Sequence, residues 1–201
     1  VDRFRDRWLE RTSLAARIAA VELIAAAALS VYARVEGASG FWVPLAVAAP
    51  LVVLELWYDM RSRSRRLIPE LAGSIGIGSI AAAIALADAA PTRLAWGLWL
   101  VMAARSLAAI PYVRTQIRRR KSQPGILWTS DLAQLGAVVA AWLGFSVDLI
   151  PAAATIAISL VAGFNVVAVR LPPRSAVAVG IQQTIVGIIV IATTVIAIHL
   201  A

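Results

Sequence analysis

The sequence predicts an all-α, polytopic transmembrane helix bundle of about seven spans, and three observations carry that prediction. Of 201 residues, 61% are hydrophobic, 15% are charged and the mean hydropathy is +0.82; a soluble chain is about 45–50% apolar and about a quarter charged. Apolar stretches of about 20 residues, the length a bilayer requires, alternate with short basic ones. The basic segments also fall on alternate loops, as the positive-inside rule demands.

The spans read as 13–33, 41–58, 69–88, 94–113, 126–145, 147–169 and 175–199 in a single domain covering 1–201. Helix is the only state that satisfies the backbone in lipid, because the period-2 alternation of a barrel strand is absent. Short loops make sequential helices antiparallel neighbours. With the N-terminus in the cytoplasm, the inner segments 1–12, 59–68, 114–125 and 170–174 hold 15 of the 19 Lys and Arg residues. The outer segments hold only Arg34 and Arg93. The C-terminus is then external, and the expected location is a bacterial cytoplasmic (inner) membrane.

Each span has its own signature. The first carries Arg17 and Glu22 in its inner half, where Arg17 can snorkel to the headgroups. It is too long and lacks the cleavage site of a signal peptide. The second holds Pro44 and Pro50, and the fourth Pro111, each a potential kink. The third opens with ELAGSIGIGS, where Ala72/Gly76 and Ser74/Gly78 are four apart and permit close helix packing. Between the fifth and sixth, Gly144, Ser146, Asp148 and Pro151 supply turn and helix-start chemistry. Trp42, Trp57, Trp96, Trp128 and Trp142 fall near span ends, as an interfacial belt does.

Several chemistries are excluded. With no cysteine and a single histidine, His199, thiolate catalysis and Cys- or His-rich metal centres are unavailable. No H-E-x-x-H or G-x-S-x-G motif occurs, and the sequence implies no metal and no cofactor. The net charge of +8 is assigned to topology and a lipid surface, with no nucleic-acid partner.

Polar groups inside the membrane are functional candidates by default. Glu55, Asp59, Glu70, Asp131, Asn165 and Gln182 belong to the inner half of the bundle and suggest a polar cavity open to the cytoplasm. Arg105 lies deep enough to need a partner, for which Asp131 or Glu70 is the candidate. The anion- or lipid-binding candidates are Arg61, Arg65, Arg66, Arg105, Arg114 and Arg118. Arg114 and Arg118 share a helix face if span four continues inward, and should then face the same mouth as Arg61 and Arg65.

At LELWYDMRSRSRRLIPELAGSIGIG and LWLVMAARSLAAIPYVRTQIRRR the chain resembles the YwiC-like family of bacterial integral membrane proteins. That family begins with an HGAW-type hairpin that this chain lacks; two further helices would make nine, and the resemblance implies that Val1 is not the usual start. The stretch Tyr58, Arg61, Arg63, Arg65, Arg66 before a glycine-bearing helix is similar to a helix junction of UbiA-type prenyltransferases, where a tyrosine and basic residues help hold a polyprenyl diphosphate. Those enzymes use aspartate-rich motifs to ligate Mg²⁺. The second such motif would fall where this chain reads VRTQIRRRKSQPG, whose arginines repel Mg²⁺ and can bind an anion directly.

The expected function is therefore that of a polytopic inner-membrane protein of unassigned activity whose basic cytoplasmic face binds an anionic lipid or a phosphorylated ligand, with membrane lipids and an isoprenoid phosphate as the candidate partners. The alternatives are a divergent UbiA-type intramembrane prenyltransferase and a small secondary transporter. The sequence carries no complete catalytic motif, shows no inverted repeat and leaves the oligomeric state open.

Overall fold

A computed structural model describes residues 10–35, 40–61, 63 and 65–200. Its seven helices are α1 (Glu10–Val35), α2 (Trp42–Met60), α3 (Leu67–Ala87), α4 (Thr92–Arg120), α5 (Leu127–Ser146), α6 (Ala152–Ala168) and α7 (Ala176–Leu200). Five of them, α1–α4 and α7, are long and apolar enough to cross a membrane, and α6 is a shorter apolar helix. The protein is membrane-embedded.

Each helix packs on its neighbour in sequence from α2 to α7, and α4 also touches α6 and α7. The core therefore lies around α4. Val101, Ala104 and Ala108 meet Ala137 and Ala141 of α5, Ala154 and Ile158 of α6, and Val190 of α7. The alanines matter because lipid supplies no hydrophobic drive between helices; small side chains let the backbones approach and gain dispersion contact. The α3 glycines act likewise. Gly76 faces Leu51 and Val52 of α2, while Gly78 faces Met102 and Trp99 of α4. By contrast α1 buries none of its apolar window, and Arg17 and Glu22 are exposed on it.

Two boundaries differ from the sequence reading. Helix α4 does not stop at 113 but runs on through Arg120, 29 residues or about 43 Å. No breaker lies between Pro111 and Lys121, and arginines at a helix C-terminus complement its dipole. The stop comes at Ser122, in the left-handed region with φ 53°, followed by Gln123, Pro124 and Gly125. Helix α6 begins at Ala152 rather than 147. Asp148 takes φ 51°, and Val147–Pro151 form the turn. That turn is pressed into α4: a Cβ on Gly97 would stand 1.9 Å from the Leu149 carbonyl oxygen.

The two ends of the bundle differ in charge. At one end Arg93 pairs with Asp148 at 3.5 Å and donates to the Val147 carbonyl. At the other gather the α2–α3, α4–α5 and α6–α7 connections with Arg61, Arg63, Arg65, Arg66, Arg118–Arg120, Lys121, Arg170 and Arg174.

Candidate anion site at the basic end

The extension of α4 builds the site. Arg114, Arg118 and Lys121 follow at i, i+4 and i+7 and share one face. The start of α3 lies opposite. Glu70 sits in its first turn, where a carboxylate complements the helix dipole. Nη1 of Arg114 donates to Glu70 Oε2 at 2.7 Å and to the Arg65 carbonyl at 2.8 Å. Between these elements is a cavity of about 500 Å³ lined by Arg65, Glu70, Arg114, Arg118 and Lys121, with Ile117 and Gln123. A smaller, largely apolar hollow of about 120 Å³, lined by Leu67, Pro111, Ile126 and Thr129 among others, adjoins it across Arg114 and Arg118.

The wall thus holds four cations and one acid, and that acid is spent on Arg114. The side chains of Arg118 and Lys121 make no hydrogen bond or ion pair among the described residues. A polyanion is the complement of such a wall. Guanidinium forks bind phosphate or carboxylate bidentately, and the volume lies in the range of small-molecule sites.

The remaining basic candidates lie elsewhere. Arg61 lies over the Trp57 ring, 3.9 Å from its centroid, a cation–π contact. Arg66 is exposed just before α3, and its carbonyl accepts the Glu70 N–H. Arg105 points toward α7, where its Nη2 donates to the Gln183 carbonyl at 2.5 Å. Neither Asp131 nor Glu70 pairs with Arg105, because each has a nearer arginine. Glu70 has Arg114, and Asp131 takes Arg170 through two bonds of 3.0 and 2.9 Å. That hydrogen-bonded carboxylate raises the Arg170 pKa above its ordinary value.

The polar candidates also separate. Glu55 is half-buried against Gly73, where its carboxylate occupies the space of the missing Cβ. Asp59 is exposed at the end of α2. Asn165 belongs to a buried amide chain among α4–α7. Gln183 Nε2 donates to Asn165 Oδ1 (3.1 Å), Asn165 Nδ2 to Gln134 Oε1 (3.3 Å), and Gln134 Nε2 to the Ala108 carbonyl (2.7 Å). The chain ends on the Ala108 carbonyl, one residue past the Leu107 carbonyl from which Pro111 withholds an N–H. Gln182 donates to the hydroxyl of buried Tyr112 at 3.0 Å and accepts from Arg174 at 3.3 Å.

Sequence reasoning missed Gln134, Tyr112 and Gln116, and it missed the binding of Arg119 to the Val169 and Leu171 carbonyls. In the sequence their only signal was polarity beside or within apolar spans. Among the described residues, no three His, Asp or Glu side chains converge as a metal site.

The model of the YwiC-like protein family matches residues 3–85, which reach through nearly all of α3, so that stretch of the chain is similar to YwiC-like proteins. No curated protein and no solved structure gives a significant match. Arg65 and Glu70 lie inside the matched stretch, and Arg114, Arg118 and Lys121 beyond it.

Proposed function

We propose that this membrane protein, YwiC-like over residues 3–85, binds an anionic lipid headgroup or a phosphorylated ligand at its basic end, and that this end faces the cytoplasm. The observation that carries the reading is the cavity of about 500 Å³ between the start of α3 and the end of α4, walled by Arg65, Arg114, Arg118 and Lys121. The positive-inside rule supports the orientation, since Arg and Lys concentrate at that end. Anionic lipids give the cytoplasmic leaflet a negative potential, which draws basic segments at about 1 kcal/mol per residue near the surface. Two arginines and a lysine on successive turns of one rigid helix add geometry to that attraction, which a disordered basic segment lacks.

The test uses the full chain in neutral detergent. Native mass spectrometry measures retention of phosphatidylglycerol against phosphatidylcholine, and calorimetry measures binding of pyrophosphate. Phosphatidylglycerol should be retained preferentially and pyrophosphate should bind. Arg118→Ala should weaken both several-fold without loss of fold, because Arg118 is exposed. Equal retention of the two lipids, unchanged in an Arg114→Ala/Arg118→Ala variant, would leave the patch as a topology signal alone.

A further inference from the structure

A second feature lies deeper, on the face of α4 between α3 and α7. Here Ala81, Leu98, Met102, Ile191 and Val195 line a groove of about 230 Å³. Its one polar residue, Thr194, is buried, and its hydroxyl is spent on the Val190 carbonyl at 2.7 Å. Ile191 and Val195 are 46% and 42% exposed, so the groove opens sideways toward lipid.

One turn nearer the basic end, Arg105 follows Val101 and Met102 on α4. Its guanidinium lies on Gly187, one turn from Ile191 on α7, with 3.3 Å between Nη2 and the position of an added Cβ. The absence of a side chain at 187 makes the room. Nη2 holds the Gln183 carbonyl, whereas Nε is buried and has no partner. The ion pairs among the described residues are Arg93–Asp148, Arg114–Glu70 and Arg170–Asp131, and Arg105 belongs to none of them. A cation inside a helix bundle without a carboxylate is costly unless an anion joins it.

We infer that this face binds a single-chain anionic amphiphile, its ionised head on Arg105 and its tail in the groove beyond. The groove is smaller than the range typical of ring-bearing ligands and fits one chain, which continues into lipid through the open side. A head without a tail leaves the groove empty, and a tail without a charged head leaves Nε unpaired. The head points toward the basic end and the tail away from it, as in a lipid of the leaflet at that end. Fatty carboxylates and phosphate-headed lipids share this chemistry.

Native mass spectrometry of the full chain in dodecyl maltoside, titrated with dodecyl phosphate, tests the site. One equivalent should bind. Dodecanoate should compete and dodecyltrimethylammonium should not; the relative affinities of the two anions separate a fatty carboxylate from a phosphate head. Arg105→Gln should weaken binding at least about tenfold, the worth of one charge-assisted hydrogen bond, and Arg105→Lys should recover part of it. Ile191→Trp fills the groove from its exposed side without touching the core, and should abolish binding. Both Arg105→Gln and Ile191→Trp should leave pyrophosphate binding intact, which separates this site from the one on Arg118. Unchanged affinity in either variant, or equal binding of the cationic amphiphile, would overturn the inference.

Discussion

Glu70 is the one acid in the wall of the basic cavity, and neutralising it should tighten anion binding. An anion seated on Arg114 lies about 6 Å from the Glu70 carboxylate, two hydrogen-bond lengths away. Two unit charges at that distance repel by about 0.7 kcal/mol in water and about 2.8 kcal/mol at an effective dielectric of 20. The Arg114 and Glu70 side chains are 28% and 34% exposed, which places the pair between these limits. Glu70→Gln should therefore improve pyrophosphate affinity by about 1–1.5 kcal/mol, or about five- to tenfold. Arg114 keeps its place in the variant, because the Arg65 carbonyl still holds Nη1. Calorimetry at low and high salt is the assay, and the gain should shrink as salt screens the charges. An affinity that falls or stays constant in Glu70→Gln would refute the reasoning: Glu70 and Arg114 would then be a structural pair, and the cavity no anion site.

Other outcomes follow from the packing. Gly97→Ala drives a methyl into the Leu149 carbonyl, an atom that cannot step aside alone, and should cost about 1–3 kcal/mol, read as a lower melting temperature in detergent. Gly180→Ala, with nothing within 4 Å of the added carbon, should show no loss. Gln134→Leu should destabilise by about 1–3 kcal/mol by stripping the Ala108 carbonyl and Asn165 of a partner; combined with Asn165→Leu, the loss should be less than the sum of the two. Arg170→Gln lies outside the cavity and should leave pyrophosphate binding unchanged. Since Asp131 raises the Arg170 pKa, their pairing is present below the unfolded value and is lost only as pH rises through the folded one. Melting curves of wild type and Arg170→Gln should therefore run parallel from about pH 6 to 9.

The helices were legible in the sequence because lipid leaves the backbone no other choice, and the connections because Gly, Pro and Arg mark them. Within the described residues, helix existence and order follow the reading, and the errors fall at α4 and α6. Basic residues served as loop markers, yet Arg114–Arg120 are also good helix formers, and composition does not say where a helix leaves the bilayer. Part of the site was legible for the same reason: the spacing of Arg114 and Arg118 implied a shared face once α4 was continuous. The pairing of charges was not legible. Which arginine reaches Asp131 depends on the rotation of α5 against α6, and that is set by alanines such as Ala137, Ala141, Ala154 and Ala157, whose identities hardly vary along the chain. The buried amides were hidden for a related reason. A lone Gln or Asn in an apolar span reveals its burial only when the partner helix is known.

The brevity of α6 bears on the membrane itself. Its 17 residues make a rod about 25 Å long, against a hydrocarbon thickness of about 30 Å. Both of its ends are fastened to α4, through the Leu149 carbonyl seated over Gly97 and through Arg119 on the Val169 and Leu171 carbonyls, so it cannot lengthen its apolar reach by sliding. Ile156, Leu160, Phe164 and Val167 form its outward stripe. Exposed Val147 and Leu171 flank that stripe, and a shortfall of about 5 Å is made up by such flanking residues or by local thinning of the bilayer. The α6 flank should therefore suit a thinner bilayer than the flank of the 25-residue α7, whose exposed apolar residues also face lipid.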